Sequence, residues 1–228
     1  MQLIRDRRVP AHTADELRRS VTVDESVCYD LLYSLRVLYN PRSFPPFRRW
    51  ATSTRAVMSE RVYAEGAFFF QGHDTAVGLG AMRFIPDLPR TAGAGAFIDR
   101  LRKADPRDLA LDLIEGGGEL PSDRLDAFRR LLATGASESK LSSGLRGLPA
   151  ARRERFKVVL TDPADVQKRL TALLDAYHKT IFVRIIPELR EPLNAAATAR
   201  KTLDVMSAVD TIERVTGIPF QASCIYAR

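Results

Sequence analysis

Histidine, cysteine and tryptophan are all scarce in this chain of 228 residues, which holds three, two and one of them. Cys28 and Cys224 stand far apart with no C-x-x-C spacing, so neither a disulfide framework nor a thiolate metal site is expected. No stretch approaches the roughly 18 consecutive apolar residues of a membrane span. Residues 1–20 carry Arg5, Arg7, Arg8, Arg18 and Arg19 but lack the apolar run of a secretory signal. A cytoplasmic location is the reading that follows. The sequence also lacks a G-x-S-x-G elbow, an H-E-x-x-H pair and a G-x-x-x-x-G-K-[ST] phosphate loop. Gly78-Leu79-Gly80 has no third glycine and follows no strand, so it is not a dinucleotide loop. No catalytic, cofactor-binding or metal-ligating residue is assigned, and the expectation is a protein that is not an enzyme.

What is present is ordinary globular material: 45% hydrophobic and 28% charged residues, in a chain long enough to bury its own core. The formal net charge of +7 is concentrated. From Lys140 to Lys157 six cations, namely Lys140, Arg146, Arg152, Arg153, Arg155 and Lys157, face the single anion Glu154. Arg146, Arg152, Arg153, Arg155 and Lys157 are therefore the candidate phosphate contacts, suited to weak, non-specific attraction of DNA. A solvated helix face accounts for the same run equally simply.

Apolar spacing of three and four predicts helices throughout. Val27, Leu31, Leu32, Leu35 and Leu38 form one face, entered at Asp24 and stopped at Asn40-Pro41. A second helix, capped at Ser43 or delayed by Pro45-Pro46, is expected to turn Phe47, Trp50, Ala51, Thr54, Val57 and Met58 inward. A third runs from Ser59 to Phe70 and ends at Gly72. Asp105-Pro106-Arg107-Asp108 and Asp162-Pro163-Ala164-Asp165 each place Asp at N-cap, Pro at N1 and a second Asp at N3, which marks two further starts. Leu125, Phe128, Leu131 and Leu132 predict a helix over 121–134. Val166, Leu170, Leu173, Leu174, Tyr177, Ile181 and Ile185 trace a long one ended by Pro187. A last helix is expected over 192–216. Strand is confined to 20–23 and 220–226.

The fold class is thus mainly α, a multi-helix bundle with at most one or two short strands. Its expected organisation is a disordered basic leader over 1–20 and a helical domain over 21–134. A Gly/Ser-rich flexible connection over 135–149 leads to a long-helix subdomain over 150–228.

Aromatic residues crowd between Phe44 and Phe84. Phe68, Phe69 and Phe70 cannot all face one way on a helix, since neighbours point about 100° apart. Trp50, Phe68, Phe69 and Phe70 are the candidate walls of a ligand pocket, with core filling as the competing reading. Among the histidines, His12 lies in the leader and His178 borders the apolar stripe of the long helix. The adjacent pair His73-Asp74 suits a turn better than a general base.

Three segments carry a resemblance. They are Tyr29-Asp30-Leu31-Leu32-Tyr33-Ser34-Leu35 preceded by Val21-Thr22-Val23, then Asn40-Pro41 followed by Pro46-Phe47-Arg48-Arg49-Trp50, and Phe84-Ile85-Pro86-Asp87-Leu88-Pro89. Together they resemble the N-terminal region of bacterial ArsR-type winged-helix transcription regulators, over most of residues 21–217. The resemblance implies a regulatory and dimerising helical portion that lies ahead of a DNA-binding winged helix, which Arg228 would precede. The Cys-x-Cys pair of the metal-sensing members is missing. Specific operator reading would need the missing winged helix. Self-association is expected through Val166 to Ile185 and Leu203 to Ile212, and a small-molecule effector fits the aromatic cluster. A small-molecule-binding protein or enzyme with an aromatic-lined pocket, and a plain helical interaction module, are the alternatives.

Overall fold

The structure, a computed structural model, describes residues 26–72, 75–89, 91–116, 120–135 and 138–187. Among them there is no strand, and the fold is mainly helical, as the apolar spacing predicts. The elements in chain order are α1 (Val27–Tyr39), a 3-10 turn (Pro45–Phe47), α2 (Arg48–Val57), α3 (Glu60–Phe70), a second 3-10 segment (Gly78–Phe84), α4 (Ala94–Lys103) and α5 (Pro106–Gly116). They continue with α6 (Ser122–Thr134), α7 (Glu138–Gly144), α8 (Ala150–Thr161), α9 (Pro163–Tyr177) and a π-helical turn (His178–Phe182). No described helix is long and apolar enough to cross a membrane.

Local chemistry sets most of the helix starts. Ser26, rather than Asp24, caps α1, its hydroxyl accepting from the Cys28 N–H at 3.2 Å; Asp24 lies outside the described residues. Ser59 caps α3 by accepting from the Val62 N–H at 3.3 Å. The two Asp-Pro-x-Asp starts act as expected. Asp105 accepts from the Arg107 N–H at 2.7 Å and Asp162 from the Asp165 N–H at 3.0 Å. Each such cap contributes about 1 kcal/mol. The prolines delay α2, but its inward stripe is shorter than predicted. Ala51, Thr54 and Met58 are buried, whereas Phe47 sits in the preceding 3-10 turn at 54% exposure and Val57 is 72% exposed.

Helix α9 is the axis of the core and packs against α3, α4, α5 and α8. Its inward residues Val166, Leu170, Leu173, Leu174 and Tyr177 are all buried. The π-helical turn that follows shifts the register, so that the adjacent Ile181 and Phe182 both turn inward while Ile185 is only half-buried. The apolar face of α1 (Cys28, Leu31, Leu32, Leu35 and Leu38) meets α2, α3, α4 and the 78–84 segment. Phe128 of α6 and Phe156 of α8 pack edge to face at 6.3 Å.

The stretch between α6 and α8 departs from its expected organisation. The described residues 138–149 of the expected connection cluster with the helices on either side of them. They contain α7, they bury Leu141, Leu145 and Leu148, and residues 26–186 form one compact unit. Three leucines at spacings of four and three supply an inward stripe that the surrounding Gly and Ser obscure. Helix α4 was not anticipated either. Its apolar signal is only Phe97, Ile98 and Leu101 after a glycine-rich entry, and all three are buried. The leader over 1–20, the helix over 192–216 and both predicted strands lie outside the described residues.

Glycine lets the 78–84 segment lie directly on α5. A Cβ on Gly80 would stand 2.0 Å from the Asp112 carbonyl oxygen, and one on Gly116 2.3 Å from the Gly80 Cα. Arg83 pins the same contact, reaching Asp112 at 3.2 Å and Glu115 at 2.5 Å. Gly80→Ala is therefore expected to lower unfolding free energy by about 1–3 kcal/mol, the usual cost of overpacking. Urea denaturation measures it, and an unchanged midpoint would sink the backbone-contact account.

Across the core, the Tyr177 hydroxyl donates to Ser34 Oγ at 3.0 Å. Burial pushes the Tyr177 phenol up to about 12, the Ser34 hydrogen bond opposing the shift. Unfolded, it would ionise near 10. The folded state therefore keeps a proton that the unfolded chain loses. Stability from this group is complete below pH 10 and declines as pH rises toward 12, by roughly 2–3 kcal/mol in all. Tyr177→Phe is expected to flatten the alkaline decline in unfolding free energy between pH 10 and 12. A decline as steep as in the parent chain would contradict the shift.

Candidate functional site

Polar side chains converge most densely at the turn that ends α3. A helix leaves its last four carbonyls without intrahelical partners, and here three other side chains supply them. Buried Arg36 of α1 donates through Nη1 to the Phe70 carbonyl at 3.4 Å and to that of Gly72. Asn40 donates to the Phe70 carbonyl at 2.7 Å and accepts from the Gly72 N–H at 2.8 Å. From the other side Arg155 of α8 donates through Nη1 to the carbonyls of Gln71 at 2.6 Å and Thr75 at 2.7 Å, and to Thr75 Oγ1 at 2.9 Å. Burial, reinforced by the positive charge of Arg36, holds the Arg155 guanidinium below its usual value. Gly72 takes φ +90°, a conformation that glycine accepts at little cost.

The same device recurs where α4 ends. Gln167 of α9 donates from Nε2 to the Leu101 carbonyl at 2.7 Å and to that of Ala104 at 2.8 Å. Arg169, also on α9, pairs with Glu65 at 2.7 Å and lies 4.7 Å over the Phe68 ring. These side chains fasten one helix to another.

The candidate pocket residues part company. Phe69 and Phe70 are fully buried. The Phe70 ring lies so close to Gly78 that a Cβ there would meet it at 2.6 Å, and it stacks with Tyr39 at 6.5 Å. Phe68 is half-buried, edge-on to Phe69 at 4.9 Å and covered by Arg169. Trp50 is half-buried on α2 and makes no ring contact with the three phenylalanines.

The candidate phosphate contacts also divide. Arg146, Arg153 and Lys157 are exposed. Arg152 is half-buried, its guanidinium 5.1 Å from the Phe156 ring centre. Arg155 is withdrawn from any phosphate role by its four carbonyl and hydroxyl partners on α3 and the turn after it, which sequence distance conceals. Among the histidines, His178 lies in the π-helical turn with its ring 6.4 Å from that of Phe182. His12, His73 and Asp74 lie outside the described residues, as does Cys224. Cys28 is buried in the α1 face. Among the described residues no three His, Cys, Asp or Glu side chains gather as a metal site.

Comparison of the chain with models of protein families, with curated proteins and with solved structures finds no match.

The two arginines of α8 give a paired prediction. Arg155→Met removes a charged donor from the exposed Gln71 carbonyl and the half-buried Ala67 and Thr75 carbonyls, and is expected to cost about 1–2 kcal/mol. Arg153→Met, on the exposed side of the same helix, should stay within about 0.5 kcal/mol. Denaturant unfolding of both variants checks this, and equal losses would contradict the division of roles.

Proposed function

We propose that this chain is the regulatory, self-associating helical part of a bacterial transcription regulator of the ArsR type, acting without catalysis and relying on a winged helix to read DNA. The observation that carries the reading is the placement of the three resembling segments. Tyr29 to Leu35 lie on α1, Pro46 and Phe47 in the 3-10 turn with Arg48 to Trp50 opening α2 behind them, and Phe84 closes the 3-10 segment that leads into Ile85 to Pro89. Both α2 and the 78–84 segment pack against α1. The described parts of the three segments, spread over residues 29–89, thus gather around one helix, while Val21 to Val23 and the end of the likeness, which runs to 217, lie outside the described residues. The use of Arg36, Asn40, Arg155 and Gln167 as helix-end partners supports a scaffold over a reactive centre.

Self-association needs a revised surface. The apolar stripe of α9, from Val166 to Tyr177, is consumed inside the compact unit. The role falls to the second apolar segment, Leu203 to Ile212. The aromatic-walled effector pocket is the weaker reading, because Phe69 and Phe70 already fill the core.

The test reads the encoding DNA beyond the codon for Arg228. A winged helix, in frame or after one frameshift, is the expected outcome. An unrelated gene after a well-supported stop codon would overturn the assignment.

A further inference from the structure

The surface least explained by the scaffold is the one built by residues 41–57. Between Asn40 and Ser59 the sequence has four arginines (Arg42, Arg48, Arg49 and Arg55) and no Asp or Glu. Arg55 is accounted for, since it pairs with Glu60 at 2.5 Å and lies 3.8 Å over the Tyr63 ring. Arg42, Arg48 and Arg49 are exposed and make no ion pair among the described residues. The one bond of Arg48 is a 3.4 Å contact from Nε to the Pro41 carbonyl. Arg48 and Arg49 open α2, where cations oppose the helix dipole. They are not there for the stability of the helix.

The shape of the surface is equally particular. On the outer side of α2 the arginines are followed by Thr52, Ser53 and Ala56, all small and all exposed. The Thr52 and Ser53 hydroxyls fold back onto the Arg48 and Arg49 carbonyls at 3.0 and 3.1 Å, so the turn beyond the two cations carries only short side chains. At its edge the Pro45-Pro46-Phe47 turn presents a phenylalanine that is 54% exposed. Phe47 makes no ring contact among the described residues.

Charge decides the sign of the occupant, and apolar layout decides its kind. A helix that lies in a lipid interface turns large apolar side chains outward along its whole length. Here the exposed large apolar side chains Phe47 and Val57 are ten positions apart, about 15 Å at helical rise, and the exposed residues between them are Arg48, Arg49, Thr52, Ser53 and Ala56, none of them large and apolar. An acidic peptide would satisfy the arginines, but it does not pair each of its charges with a flat aromatic group at a fixed repeat. A duplex keeps its bases stacked on one another. A single strand brings regularly spaced phosphates together with unstacked bases, and a ring beside cations is how such strands are held without sequence preference.

We propose that residues 42–57 form a docking surface for single-stranded nucleic acid, with Arg42, Arg48 and Arg49 on successive phosphates and Phe47 stacking on one base. This surface is separate from the 146–157 segment and does not depend on the regulator assignment.

The experiment titrates the full chain into a fluorescently labelled oligothymidine, long enough for a site of roughly 4–16 nucleotides, and reads anisotropy over a range of salt. Binding should weaken with salt, and Arg48→Glu/Arg49→Glu should reduce the slope of log affinity against log salt by about 1.4, the effect of losing two single-strand phosphates. Phe47→Ala should lose about ten-fold in affinity, the stacking of one base, with the slope unchanged. All three positions are exposed, so folding is checked by an unchanged circular dichroism melt. Lys103→Glu/Lys168→Glu, two exposed cations to which no phosphate role is given, should leave the single-strand affinity within two-fold, about 0.4 kcal/mol, and a loss as large as that of Arg48→Glu/Arg49→Glu would overturn the proposal. The proposal is overturned if Arg48→Glu/Arg49→Glu binds like the parent chain, or if Phe47→Ala has no effect. Equal affinity for polyglutamate, or binding to phosphatidylserine vesicles in preference to the oligonucleotide, overturns it as well.

Discussion

The carbonyls at the end of a short helix cannot be satisfied by that helix, and this fold is made of short helices. The longest described α-helix is α9, with 15 residues, and several have only 10 to 13. Where such an end is buried, a donor must arrive from elsewhere, because an unpaired carbonyl away from water costs about 1–3 kcal/mol. Arg36, Asn40 and Arg155 meet that need at the end of α3, and Gln167 meets it at the end of α4. Arg36, Arg155 and Gln167 are each rooted on a different helix from the one they complete, and Asn40 stands at the end of α1. Satisfying the ends and holding the helices together are therefore one act. A guanidinium suits the task because its several N–H groups can serve carbonyls that diverge. Arg155 reaches three carbonyls and a hydroxyl at once.

This division explains which features a reader of the sequence can see. Asp105 and Asp162 act on donors two and three residues away, so Asp-Pro-x-Asp can be read by eye and marks both starts correctly. The stripe of α1 is equally local. Arg155 acts across 80 residues and Gln167 across 66, counted to Thr75 and Leu101. No spacing rule connects such pairs, and in sequence Arg155 is simply one more cation in a basic run. Gly80 is a further case. Its neighbour in Gly78-Leu79-Gly80 suggests a loop, whereas its purpose lies with Asp112 and Gly116 on α5. Helix α4 and α7 were missed for a different reason. Each rests on three well-placed apolar residues among glycine, serine and charge, below the density at which periodicity separates from composition.

The aromatic surplus shows how far a compositional argument carries. Geometry requires that Phe68, Phe69 and Phe70 face different ways, and they do. The second surface that this demanded is supplied from within the chain. Phe69 and Phe70 enter the core, and Phe68 turns to the Arg169 side chain of α9. An aromatic that cannot be buried with its neighbours can be covered by an arginine stem and guanidinium as well as by a ligand.

The cations can now be sorted by what they touch, and net charge alone misplaces them. In the sequence the positive excess centres on Lys140 to Lys157, yet Arg155 is spent on carbonyls and Arg152 lies against Phe156. Arg36, Arg83 and Arg169 are likewise committed to the scaffold. By contrast Arg42, Arg48 and Arg49 belong to a run with no acidic residue, and they touch almost nothing. Charges that pair with no described residue, beside an exposed ring, are the observation on which the proposed docking surface rests. Seven net charges spread over 228 residues would say little about a partner. Three uncommitted guanidiniums on one short stretch of surface say where to look for it.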